Sequence, residues 1–156
     1  MKYDDASWHY GGNFPADLPI EAGATHMALF VAWCALNGMG GEPNEVENSK
    51  ALEALRARAV TPSQWFIAIC DEKFTDEDLS EEGNAFAIDY YNAEAKQHSR
   101  SGCYLVDYEN TFPEVPTLYG VPDTWQSYDR IAPVIARRAA KWRARRSKPF
   151  WLRLWT

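Results

Sequence analysis

One stretch of the chain decides the fold, the unbroken apolar run Met27-Ala28-Leu29-Phe30-Val31-Ala32-Trp33-Cys34-Ala35-Leu36. A helix built from this run is hydrophobic on every face, which is typical of a helix buried at the centre of a domain. The run is far shorter than the roughly 20 residues that a membrane-spanning helix needs. Asn37-Gly38 ends it, because glycine readily adopts the left-handed conformation of a helix C-cap. The sequence therefore predicts a buried central helix over residues 21–37.

Two helices are predicted directly after this one. Asn44 and Glu47 have the spacing of a capping box and precede a second helix whose apolar face carries Leu52 and Leu55. The stretch Thr61-Pro62-Ser63-Gln64 is a stronger start signal, because threonine can cap, proline suits the first helical position and glutamine can reach back. It predicts a third helix over about 62–72.

The second half of the chain predicts two more helices and a minor β element. Aromatic and alanine residues at helical spacing indicate a helix over about 81–98. Asp123 with Gln126 opens a basic C-terminal helix over 123–147, which Pro133 is expected to kink. Alternating side chains predict a strand over 103–108, with 150–155 as a further candidate. Glycines and prolines make residues 1–20 an irregular or extended N-terminal arm and not a helix. The expected fold is mainly α, with about five helices around the central one.

Composition indicates a single domain over residues 1–156, which is a common size for one core. The first residues are charged and lack the apolar core of a signal peptide, so we expect a cytoplasmic protein. The three cysteines Cys34, Cys70 and Cys103 are odd in number and widely spaced, which disfavours a disulfide framework. We interpret Cys34 and Cys70 as small buried apolar residues.

Charge is divided unevenly along the chain. Residues 1–129 hold all 22 acidic residues and 7 basic ones, whereas residues 130–156 hold 9 basic residues and no acidic one. The acidic part includes a dense run between two predicted helices, formed by Asp71, Glu72, Asp76, Glu77, Asp78, Glu81 and Glu82. This run is either a solvated helix end or a patch that docks on a basic partner.

The basic segment 137–148 offers a second candidate surface. Its arginines, with Trp142 between them, could contact the phosphates of a nucleic acid. The net charge of −6 disfavours this reading. Cations also stabilise a helix C-terminus without any ligand, and the arginines could pair with the acidic part of the same domain. Nucleic acid is therefore the less favoured partner, and a membrane is not expected.

Catalytic signatures are missing from the sequence. It has no nucleophile elbow, no phosphate-binding loop and no paired histidines at metal-ligand spacing. The only set worth weighing is Asp4, Asp5, His9 and His26, whose carboxylates and imidazoles could gather a divalent metal for a hydrolase. These side chains could equally be hydrogen-bonded structural residues. We therefore expect a protein that is not an enzyme and needs no cofactor or metal.

The N-terminal residues carry a family resemblance. The stretches Met1-Lys2-Tyr3-Asp4-Asp5-Ala6-Ser7-Trp8-His9 and Pro19-Ile20-Glu21-Ala22-Gly23-Ala24-Thr25-His26 resemble a family of uncharacterised small bacterial proteins that open M-K-Y-D-D-A-S-W-H. Such families often lie beside genes for secreted toxins. The resemblance implies an immunity protein of the type VI secretion or polymorphic-toxin kind, whose partner is a cognate toxin such as a nuclease effector. It supplies no catalytic residues.

Three functions follow from the sequence. The leading hypothesis is an immunity protein that binds its cognate toxin and occludes the toxin's active site. The alternatives are a metal-dependent hydrolase using the N-terminal Asp/His set, and a nucleic-acid-binding regulator using the basic C-terminal helix.

Overall fold

The computed structural model describes residues 1–11, 14–91 and 102–147. Its regular elements are β1 Lys2–Asp5, α1 Thr25–Leu36, α2 Ser49–Arg56, α3 Pro62–Cys70, β2 Lys73–Thr75, α4 Glu81–Tyr90, α5 Tyr104–Thr111 and α6 Trp125–Arg146. Short 3-10 turns and one π turn connect them, over Ala6–Trp8, Ile20–Ala24, Pro43–Glu47, Asp76–Asp78 and Leu118–Gly120. The prediction of a mainly α fold with a minor β element is confirmed.

Helix α1 is the centre of the core. All its residues from Thr25 to Ala35 are buried, and it packs against α3 and α6. Phe30 is completely buried and lies among five other aromatic rings, Phe74, Phe86, Tyr90, Tyr91 and Tyr104. The predicted buried central helix is confirmed, although the 3-10 turn Ile20–Ala24 occupies the first residues that were expected to be helical.

The helix starts were predicted with mixed success. Thr61 and Gln64 form the expected capping box, with Pro62 in the first turn of α3. The prediction of a capping box at Asn44 is wrong, because residues Pro43–Glu47 form a π turn. The buried Asn44 side chain instead donates to the carbonyl of Asp78 over 3.2 Å. Helix α6 is capped by Thr124, whose hydroxyl accepts from the backbone N–H of Ser127 over 3.1 Å.

Replacing Thr61 by alanine tests the cap of α3. The threonine hydroxyl accepts from the backbone N–H of Gln64 over 3.3 Å. Loss of an N-cap of this kind lowers the free energy of unfolding by about 1 kcal/mol. We expect that decrease in urea denaturation of Thr61→Ala, and Thr61→Ser should retain most of the stability. Equal stability of the alanine variant and the parent would show that this cap contributes nothing.

The predicted strand over 103–108 is wrong, because these residues start α5. Tyr104, Asp107 and Tyr108 are buried, whereas Val106 is 47% exposed. Burial at positions 104, 107 and 108 follows the helical repeat and not the alternation of a strand. The candidate strand over 150–155 and the predicted extension of α4 to residue 98 lie outside the described residues.

The predicted irregular or extended arm over 1–20 contains a regular strand. Residues Lys2–Asp5 form β1, which pairs antiparallel with β2. Backbone hydrogen bonds extend this pairing at both ends, from Ala6 N–H to the carbonyl of Glu72 and from Asp76 N–H to the carbonyl of Met1. The first strand is therefore fixed against a segment some 70 residues away along the chain, and this pairing positions the site described next.

Candidate functional site

A buried carboxylate lies at the centre of the candidate site. Asp4, near the end of β1, places its Oδ1 atom 2.9 Å from Nε2 of His9 and 2.9 Å from the backbone nitrogen of Asp5. Its Oδ2 atom lies 3.2 Å from Nε2 of His26 and accepts from the hydroxyl of Tyr91 over 2.7 Å. We call Asp4, His9 and His26 the Asp–His cluster. Three of the four residues of the predicted N-terminal metal set are thus brought together.

Local structure explains how the cluster forms. The 3-10 turn Ala6–Trp8 reverses the chain after β1, so that His9 returns toward Asp4. His26 lies in the first turn of α1 and is completely buried. Nδ1 of His9 lies 3.0 Å from the hydroxyl of Tyr119, which fixes the plane of the ring from its outer side.

Asp5, the fourth residue of the predicted set, does not join the cluster. Its carboxylate accepts from Nζ of Lys2 over 2.6 Å and from the backbone and side chain of Ser7. The side chain therefore caps the 3-10 turn that follows β1. The side chains of the two consecutive aspartates therefore have separate sets of partners.

The electrostatics of the cluster favour an ionised Asp4. Burial alone would raise the pKa of Asp4, but hydrogen bonds from His26 and His9 outweigh it and hold that pKa well below its usual range. Burial lowers the pKa of His26 and exceeds the opposing effect of Asp4, which favours the neutral imidazole. Burial also raises the pKa of Tyr91 well above its usual value. Nδ1 of His26 is buried without a hydrogen-bond partner among the described residues.

The predicted acidic run is largely occupied by contacts within the domain. Glu72 accepts from the hydroxyl of Tyr10 over 2.8 Å, and Glu82 pairs with Arg143 over 2.8 Å. Asp78 caps its own 3-10 turn by accepting from the backbone N–H of Thr75 over 2.7 Å. Ion pairs also engage Asp71 with Lys73 and Asp76 with the N-terminal amine. Of the seven predicted binding residues, Glu77 and Glu81 are exposed and form no salt bridge with a described residue.

Three further exposed carboxylates, those of Glu42, Glu45 and Glu47, lie on a segment that packs against the one carrying Glu77, and the sequence did not indicate them. The backbone N–H of Gly41 donates to the carbonyl of Asp78 over 2.9 Å, which brings the segment 42–47 against the segment 76–79. The approach is so close that a Cβ atom on Gly41 would lie 2.1 Å from the carbonyl oxygen of Glu77. We call the resulting group the acidic surface, formed by Glu42, Glu45, Glu47, Glu77 and Glu81.

The basic helix α6 is tied to the domain by its arginines. Arg138 donates twice to Asp107, over 2.7 and 2.8 Å, and Arg143 pairs with Glu82. The guanidinium of Arg146 lies 4.8 Å from the ring centroid of Trp142, and that ring is only 2% exposed. A buried tryptophan cannot stack on a base. These contacts fit the reading in which the basic helix pairs with the domain's own acidic residues.

The described residues thus form a mainly α domain with a buried Asp–His cluster and an exposed acidic surface. The chain belongs to the family described as Domain of unknown function (DUF7832), which matches residues 2–121. The match includes the whole cluster and both acidic segments, and α6 lies beyond it. No curated protein and no solved structure matches the chain. Among the described residues, no helix combines the length and apolar character that a membrane-spanning segment requires.

Proposed function

We propose that this protein is an immunity protein that binds a cognate secreted toxin in the cytoplasm and blocks the toxin's active site. The observation that carries the proposal is the acidic surface, in which two separate segments present five exposed carboxylates. Neither segment 42–47 nor segment 77–81 contains a lysine or an arginine. The resemblance of the N-terminal residues to proteins encoded beside toxin genes supports the same function.

A nuclease effector is the class of toxin that suits this surface best. The active-site groove of a nuclease must attract a polyanionic substrate, so it is positively charged. An acidic protein surface competes for that groove, accelerates the encounter and disfavours partners that are themselves acidic. Binding by occlusion needs no catalytic step and no cofactor.

The acidic surface is held in place before any partner arrives. Besides the Gly41–Asp78 hydrogen bond, the backbone N–H of Ser80 donates to the carbonyl of Met39 over 2.9 Å, and Gly40 forms a β-bridge with Leu79. A surface fixed in this way loses little conformational entropy on binding. Val46, which is 65% exposed, lies between Glu45 and Glu47 in the sequence and offers an apolar contact next to them. The acidic surface therefore combines charges that steer the partner toward it with an apolar side chain that can strengthen binding.

Charge reversal on this surface tests the proposal. We expect the double variant Glu45→Lys and Glu77→Lys to lower the association rate with the toxin at least about tenfold at low ionic strength, because two favourable charges become repulsive. The measurement is surface plasmon resonance against the product of the neighbouring gene at two salt concentrations, followed by an assay of that product's toxic activity with and without this protein.

A matched control separates the surface from the net charge. The double variant Asp17→Lys and Glu109→Lys changes the net charge by the same amount at exposed positions outside the acidic surface. It should bind and protect nearly as well as the parent protein. If the parent neither binds nor inhibits the neighbouring product, the proposed function is wrong. If both double variants lose binding equally, the acidic surface is not the docking face.

A further inference from the structure

We propose that the Asp–His cluster is a binding site for one divalent transition-metal ion of the zinc class. One ligand atom each from Asp4, His9 and His26 lies within 4.8 Å of the other two. Both histidines turn Nε2 toward the same carboxylate, over 2.9 and 3.2 Å. In a tetrahedral zinc site with bonds of 2.0–2.1 Å, neighbouring ligand atoms are about 3.3 Å apart. The two nitrogen–oxygen separations are close to that size, with Oδ1 of Asp4 facing His9 and Oδ2 facing His26.

The donor set selects the kind of metal. Two imidazole nitrogens and one carboxylate oxygen suit Zn²⁺ and its neighbours Co²⁺ and Ni²⁺. Mg²⁺ and Ca²⁺ prefer shells made of oxygen, which these three residues do not supply. Three protein ligands also leave a fourth position for water. The cluster should therefore discriminate strongly between the two groups of metals.

Two of the three cluster residues have the outer hydrogen-bond partners that are typical of metal ligands. Nδ1 of His9 faces the hydroxyl of Tyr119 at 3.0 Å, and Asp4 is oriented by Tyr91 and by the backbone N–H of Asp5. Nδ1 of His26, in contrast, has no hydrogen-bond partner within the described part of the chain. Because a missing outer partner lowers metal affinity about 10- to 100-fold, we expect binding weaker than that of a structural zinc site.

The burial of the cluster determines from which side an ion reaches it and how the bound ion affects stability. The side chain of His9 is 18% exposed and that of His26 is completely buried, so an ion reaches the cluster from the His9 side. Once bound, it joins the segment after β1 to the start of α1. A ligand that binds only the folded state stabilises it by mass action. Metal binding should therefore raise the melting temperature in addition to giving a heat of binding.

The test uses the tag-free protein after removal of metals with EDTA. We expect isothermal titration with ZnCl₂ to give one saturable site, Co²⁺ to give visible d–d absorption bands, and Zn²⁺ but not Mg²⁺ to raise the melting temperature. His9→Gln removes one ligand, and an amide in its place can still donate a hydrogen bond to Asp4. This variant should fold, as judged by circular dichroism, and lose about 100-fold or more in zinc affinity.

Asp5→Asn is the matched control, because it removes a neighbouring negative charge whose hydrogen bonds go to Lys2 and Ser7 and not to the cluster. It should bind zinc like the parent protein. Absence of a saturable site in the parent, or equal zinc affinity of the parent and His9→Gln, would overturn the proposal and leave the cluster as a hydrogen-bonded structural unit. Neither result depends on whether a toxin partner binds, so the two proposals fail separately.

Discussion

Replacing Phe30 by alanine is expected to lower the free energy of unfolding by about 3–5 kcal/mol, the largest change that a single core truncation produces. The ring is completely buried, and its centroid lies 4.9 Å from that of Tyr91 and 5.0 Å from that of Tyr104. Truncation removes the buried apolar surface and leaves a cavity that the surrounding rings are too rigid to fill. Because a domain is stable by only about 5–15 kcal/mol, the variant should be close to unfolding at 37 °C.

Urea denaturation followed by circular dichroism measures the effect, with two variants for comparison. Phe30→Leu refills most of the volume and should lose less than half as much stability as the alanine variant. Ile88→Ala truncates a side chain of α4 that is 44% exposed, and it should change the stability by about 0.5 kcal/mol or less. A loss at Phe30 no greater than the loss at Ile88 would contradict the central position of α1 in the core.

Local signals made α1 and the start of α3 predictable. An apolar run of this length can be buried only at the centre of a domain, whatever packs around it. Thr61 and Gln64 each hydrogen-bond the other's backbone within a single turn, so their pattern can be recognised without the distant Asp123, to which the Thr61 hydroxyl also donates. Asn44 has the same spacing to Glu47, but its side chain is drawn into a hydrogen bond with the carbonyl of Asp78. That competing partner lies outside any sequence window.

The strands could not be predicted from the sequence, for two different reasons. The side chains of residues 103–108 alternate as in a strand, but the spacing of Tyr104 and Tyr108 fits a helix equally well. Periodicity alone does not distinguish the two in a short apolar segment. The structure resolves them as α5. Lys2–Asp5 contains few residues that favour strands, and its pairing with Lys73–Thr75 is set by packing against the rest of the domain.

The candidate site was predictable in its residue types and not in its geometry. Asp4, His9 and His26 were recognisable as potential ligands, but their spacing matches no compact motif. Only the pairing of β1 with β2 and the turn after β1 bring His9 back to Asp4. The acidic surface was likewise not predictable from the sequence. The dense acidic run over 71–82 is largely engaged in contacts within the domain, and the exposed carboxylates of segment 42–47 lie some 30 residues earlier in the chain.

Replacing Asp4 by alanine is expected to lower the free energy of unfolding by about 3–5 kcal/mol in the presence of EDTA. The carboxylate is the acceptor for both His26 and Tyr91, which are buried and have no other acceptor at those atoms among the described residues. A buried donor left without a partner costs about 1–3 kcal/mol, and two such donors would remain. EDTA removes any contribution of a bound metal, so the measurement reports the hydrogen-bonded cluster alone.

Asp5→Ala provides the comparison one residue along the strand. It removes a cap of the following 3-10 turn and an ion pair with Lys2, whose side chain is 39% exposed, so a loss of about 0.5–2 kcal/mol is expected. Equal losses at the two positions would mean that the cluster contributes no more than an ordinary cap. Tyr91→Phe sharpens the test, because removing the hydroxyl should destabilise the parent protein but not the Asp4→Ala variant. A coupling energy of about 1 kcal/mol or more in this double-mutant cycle is expected if Asp4 joins β1 to the core through Tyr91, and additive losses would contradict that contact.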